Sequence, residues 1–168
     1  SPAPLTARTK EPGEDFYLTF PYLFYEQFPR VPVTHYDSLA LSNALYLDFV
    51  LLTDRLMDGK VRWEPSVAFW VTSAYQEVSV ILSQLFARDS SFWDDFEAHR
   101  RERIEALQIE RLAHLHTIVP YTEEEKIAIA AGKSAMAKAT IAALAYLAEQ
   151  VAPTALLASC EAYHVGLQ

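Results

Sequence analysis

The stretch that decides the fold is Ser38-Leu-Ala-Leu-Ser-Asn-Ala-Leu-Tyr-Leu-Asp-Phe-Val-Leu-Leu-Thr-Asp-Arg-Leu-Met-Asp-Gly59. Serine opens it as an N-cap, glycine closes it as a C′ residue, and the residues between form helix without proline or a further glycine. This reading predicts a helix over 39–58. It is apolar on nearly every side, which places it in the middle of a helical bundle. Asn43 and Asp48 interrupt the apolar run, which stays short of the roughly 20 residues needed to cross a bilayer.

Working outward, Pro65 suits the first turn of a second helix, over 65–87. Arg88-Asp89-Ser90-Ser91 breaks the chain and caps a third, over 92–116, whose stretch from Glu97 to Arg103 reads as a solvated, ion-paired face. Thr122-Glu123-Glu124-Glu125 is a capping box that opens a fourth helix, rich in alanine, over 123–150. Pro153 and Thr154 begin a fifth. Toward the N-terminus, residues 1–14 form an irregular lead-in, and the aromatic segment 15–28, broken by Pro21, gives one or two short helical turns. No alternating strand pattern and no repeat is present. The expected protein is all-α, with residues 15–168 as a single domain. The last helix runs to Gln168 on apolar residues with no C-cap, which predicts that the chain is the front part of something longer.

Composition narrows the function. With 51% hydrophobic residues the chain can build a core, and a net charge of −8 argues against a reader of nucleic-acid phosphates. A single cysteine, Cys160, forms no internal bridge, and no secretory signal opens the sequence, so the expected compartment is the cytoplasm. Trp63, Trp70 and Trp93 read as core residues.

The chemistry concentrates at Asp54-Arg55-Leu56-Met57-Asp58. Two carboxylates four residues apart share a helix face and lie in the last turn, where the helix dipole also presents negative charge. Mg²⁺ or Mn²⁺, shared with substrate phosphates, removes that conflict; Arg55 and Lys60 as counter-charges at a solvated helix end are the alternative. Lys133 is the second candidate. On a continuous helix its face carries Ile129, Met136, Thr140 and Leu144, so its ammonium either snorkels or meets an anion inside. Gly132 and Ser134 beside it leave the backbone open to a ligand. Glu161 and His164 form an E-x-x-H, which reads either as a partly exposed polar face or as half of a di-metal carboxylate site that needs a second E-x-x-H and further glutamates such as Glu77. Without an activating cation, Cys160 reads as a buried thiol.

In order and spacing, three of these elements resemble the class I isoprenoid synthases, the family of trans-prenyl diphosphate synthases, squalene/phytoene synthases and terpene cyclases. Asp54-Arg-Leu-Met-Asp58 is similar to the D-x-x-x-D first aspartate motif of the squalene/phytoene branch. Gly132-Lys133-Ser134 resembles the lysine element whose side chain contacts the diphosphate. Tyr163 to Gln168 resembles the helix that precedes the second aspartate motif, with Leu167 in place of the usual aromatic. The resemblance implies an antiparallel helix bundle, a cytoplasmic cyclase or prenyl transferase, and a homodimer. It implies Mg²⁺ (or Mn²⁺) on Asp54 and Asp58 and a prenyl diphosphate held by Lys133, Arg55 and Gln168. Phe49, Phe69 and Trp70 would offer π-faces to an allylic cation. A di-metal oxidoreductase and a non-catalytic helical binding domain are the alternatives from other classes.

Overall fold

The computed structural model describes residues 14–115, 121–151 and 153–165, with side chains over 16–111, 121–151 and 153–162. Among these the chain is all-α: α1 (Glu14–Thr19), a 3₁₀ segment (Phe20–Phe24), α2 (Val33–Met57), α3 (Pro65–Leu85), α4 (Phe92–Leu115), α5 (Glu123–Lys133), α6 (Ala135–Leu147) and α7 (Thr154–Val165). No single helix among the described residues is long and apolar enough to cross a membrane.

α2 starts five residues before the expected Ser38 cap. Pro32 occupies the N-cap position and its carbonyl accepts from the His35 N–H, while the Ser38 hydroxyl turns back onto the Thr34 carbonyl. The extra turn buries Tyr36 completely and lets its hydroxyl donate to the Phe28 carbonyl at 3.1 Å. At the other end the glycine reading holds. Gly59 has φ +70°, its N–H reaches the Leu56 carbonyl, and the Lys60 N–H reaches Arg55, which is a Schellman closure. The Thr122–Glu125 capping box is present with both of its bonds.

Two expectations are corrected. The alanine-rich segment is not one helix over 123–150: it breaks at Ser134 into α5 and α6, bent by 51°. Ser134 is fully buried and its hydroxyl bonds to the Ala131 carbonyl, the kind of side-chain intrusion that kinks a helix next to glycine. The central helix is also not α2. α6 holds that place, buried at Ala135 and at every residue from Thr140 to Ala145, and it touches α2, α4, α5, α7 and the 3₁₀ segment. Alanine makes this feasible, because small side chains let several neighbours approach one helix. α2 buries only the face with Tyr36, Leu39, Asn43 and Tyr46, and its second half stays half-exposed.

The core joins Phe20, Phe24 and Phe28 to Leu39, Val78, Leu82, Phe86, Phe92, Ile141 and Leu144. Trp93 packs against it, with its indole N–H donating to the Ala87 carbonyl. Trp63 and Trp70 do not join it. They are 68% and 52% exposed, and Phe69 beside them is 73% exposed. α3 buries one stripe, Ala74, Val78 and Leu82, against α2 as its main helical neighbour; Trp70 continues that row one turn earlier yet stays exposed, and Phe69 lies on the opposite side of the helix.

Gly132 marks a close helix contact. A Cβ there would stand 2.3 Å from the Ala106 Cβ and 2.6 Å from the Glu102 carbonyl oxygen on α4. The open backbone expected to admit a ligand therefore admits a helix. Gly132→Ala forces α4 and α5 apart and should cost about 1–3 kcal/mol, read as a lower urea midpoint, even though alanine favours helix. Glu149, which ends α6 at φ +54°, should show the opposite sign. Glu149→Gly relieves a left-handed conformation and is expected to stabilise by up to about 1 kcal/mol in the same assay.

Candidate functional site

The end of α2 gathers negative charge, and the fold answers it with cations from other parts of the chain. Arg103 of α4 donates from Nη2 to Asp54 Oδ1 at 2.8 Å. Lys60 holds Asp58 at 2.8 Å. Arg111 of α4 donates from Nη1 to the Met57 carbonyl at 3.0 Å, satisfying an orphan acceptor at the negative end of the helix dipole. Lys60, one of the two expected counter-charges, acts as such. The Arg55 carbonyl takes the N–H groups of Lys60 and Val61.

Asp54, Asp58 and Lys133 open onto one cleft of about 290 Å³, walled also by Met57, Leu107, Glu110, Arg111 and Tyr121. Lys133 reaches it because α5 lies so close to α4 at Gly132. Its ammonium pairs with Glu110 at 2.9 Å and is one-third exposed. The face predicted for Lys133 across 126–144 does not form, because the bend at Ser134 turns Met136, Thr140 and Leu144 away from the axis of α5. Arg55 is not part of the cleft wall. Gln168 and the side chain of His164 lie outside the described residues.

Asp54 is 41% exposed and Asp58 37%. Burial raises the Asp54 carboxyl above its ordinary value, against the opposing pull of the Arg103 guanidinium and, more weakly, of Lys133. Two such oxygen donors at the mouth of a cleft fit Mg²⁺ or Mn²⁺, hard cations that are commonly held by one or two carboxylates, water and substrate phosphate. A fully protein-made cage is a different matter. Among the described residues, no group of three or more His, Cys, Asp and Glu side chains could hold a metal ion.

Sequence reasoning missed two buried cations. Arg103, read as part of a solvated face, is 6% exposed, because it continues the stripe Phe92, Phe96, Arg103, Ala106 that α4 turns inward. That three-to-four spacing was the available signal. Lys138, not Lys133, is the lysine inside the bundle: its side chain is 3% exposed, and Nζ bonds to Glu102 Oε2 at 2.6 Å and to Glu161 Oε1 at 2.7 Å. His99 Nδ1 also meets Glu102 Oε2, at 3.2 Å. Glu161 is thus engaged by an ammonium, and Glu77 lies exposed on α3. The Cys160 thiol is half-buried, and desolvation pushes its pKa up despite Lys138 nearby, as a resting thiol requires.

An apolar void among Leu39, Val78, Leu82, Phe96 and Ala139 is about 30 Å³, space for a water, bordered by buried Asn43, whose Oδ1 accepts from Thr140 at 2.9 Å. Phe49 is half-buried against Tyr46 and Tyr75, whereas Phe69 and Trp70 are exposed. The apolar part of the cleft wall comes from Met57 of α2 and Leu107 of α4.

Removing the buried ammonium leaves two half-exposed carboxylates that can rehydrate, so Lys138→Met should cost about 1–3 kcal/mol rather than the larger penalty of a stranded buried charge. Because Lys138 ties α4 and α6 to α7, hydrogen exchange should rise most over 154–162. Comparisons with protein-family models, with curated proteins and with solved structures each gave no match to this chain.

Proposed function

We propose that this chain carries the first metal-and-diphosphate half-site of an Mg²⁺-dependent isoprenoid-diphosphate enzyme, a cyclase or prenyl transferase. The observation that carries the reading is the convergence of Asp54, Asp58 and Lys133 on one cleft, although 75 residues separate Asp58 from Lys133 in the sequence. The motif resemblance required that convergence, and nothing in helix periodicity imposes it.

In this reading Asp54 and Asp58 would hold the divalent cation through their carboxylates. Lys133 leaves Glu110 and donates to a non-bridging diphosphate oxygen, and Arg111 adds positive charge on the same wall. The metal supplies charge neutralisation of the leaving diphosphate, the main electrostatic need when an allylic carbon–oxygen bond ionises. Met57 and Leu107 give the cleft an apolar side on which the first carbons of a prenyl chain can rest. Ionisation requires no general base, in keeping with a cleft of carboxylates and cations.

Exposure of Trp63 just before α3 and of Phe69 and Trp70 on it favours a second reading, a helical domain that binds an apolar partner, including another copy of itself. Calorimetric titration separates the two. Inorganic pyrophosphate and prenyl diphosphates should bind only with Mg²⁺ or Mn²⁺ present. Asp54→Ala and Asp58→Ala should each weaken that binding by about tenfold or more, and Lys133→Ala by about tenfold, with an unchanged helical circular dichroism signal. Prenyl diphosphate binding that ignores the metal and survives the double aspartate substitution would overturn the enzyme reading and leave the binding domain.

A further inference from the structure

Arg103 is the least ordinary group near the cleft. Its side chain is 8% exposed, and one of its terminal nitrogens is spent on Asp54. Its Nε is buried and has no acceptor among the described residues. Native proteins seldom strand a buried donor of this kind, and an arginine carries five N–H groups in a rigid fork suited to phosphate oxygens. A small cavity of about 40 Å³ adjoins the same side chain, bounded by Tyr17, Tyr46, Gly132 and Lys133. Lys133 also walls the acidic cleft, so Arg103 stands between the cleft carboxylate Asp54 and a pocket that shares the cleft's lysine.

We propose that Arg103 is an exchange latch for a metal-bridged diphosphate. In the ligand-free protein it neutralises Asp54. When the divalent cation and diphosphate arrive, Asp54 passes from the guanidinium to the cation, and the freed N–H groups donate to a diphosphate oxygen. Charge stays balanced throughout: the carboxylate exchanges one cation for another, and the arginine exchanges one anion for another. This inference rests on the diphosphate site proposed above and adds a residue to it that the aspartate and lysine motifs do not contain.

The exchange has a signature that a merely structural arginine lacks. Arg103 competes with a metal for Asp54 but cooperates with it in holding diphosphate, so its loss should move the two affinities in opposite directions. The test uses the full chain, Mn²⁺ titrated alone by electron paramagnetic resonance, and pyrophosphate titrated by calorimetry with and without Mn²⁺. For Arg103→Gln the expected result is Mn²⁺ affinity raised by about three- to tenfold and Mn²⁺–pyrophosphate affinity lowered by about tenfold or more. Arg103→Lys keeps the charge but loses the fork, so it should leave Mn²⁺ affinity near the native value while still weakening pyrophosphate.

Should the arginine variants fold poorly, Asp54→Ala breaks the same pair from the half-exposed side. It frees Arg103, and metal-free pyrophosphate should then bind about three- to fivefold tighter than to the native chain. Native binding of Mn²⁺–pyrophosphate, combined with variants in which both affinities fall together or neither moves, overturns the latch and leaves the site reading standing. A native chain that binds neither Mn²⁺ nor Mn²⁺–pyrophosphate overturns the site reading, and the latch with it.

Discussion

The close approach of α4 and α5 at Gly132 is the constraint on which the rest of the candidate site depends. With no side chain at that position, the backbone of α5 comes against Ala106 and the carbonyl of Glu102. Lys133, the next residue, is thereby brought beside Glu110, and Arg103, one turn before Ala106, comes to lie under the end of α2. A larger residue at 132 would separate the helices, and the cleft between Asp54 and Lys133 would widen with them. The glycine therefore serves the site through helix packing rather than through access for a ligand.

Charge in this protein is arranged in two layers. At the end of α2 the carboxylates remain partly in water, each met by a cation, and they open onto a cleft. Deeper in, Lys138 joins α4, α6 and α7 through Glu102 and Glu161. The second arrangement has its buried ammonium paired with two carboxylates, and so it reads as a tie between helices. The first is open and includes a buried arginine nitrogen with no acceptor among the described residues, and so it reads as a site. The difference rests on satisfaction of the polar groups, since both clusters combine the same residue types.

The packing also relocates the apolar surface. The interior around α6 is packed with alanine and with aromatic rings from the N-terminal segment, and one void among them measures about 30 Å³. The rings expected to line a cavity, Phe69 and Trp70, are instead exposed on α3. An apolar ligand or partner would therefore meet this protein along α2 and α3.

Local chemistry was legible in the sequence wherever the cause lies within one turn of helix. The Thr122–Glu125 box, the Gly59 closure, Pro65 at a first turn and the Asp54/Asp58 pair all follow from residues that touch their near neighbours. What escaped is what depends on a second helix. Whether Lys133 or Lys138 is buried, whether Arg103 faces water, and whether Trp63 joins the core are decided by which element covers each position. The break at Ser134 resets that register for half of the alanine-rich segment. A helix wheel extended through a kink assigns the wrong face to every residue beyond it. The sequence by itself determined the all-α class, most helix ends and the acidic pair. Only the tertiary structure decided which cations answer that pair, because a counter-ion is chosen by distance in space.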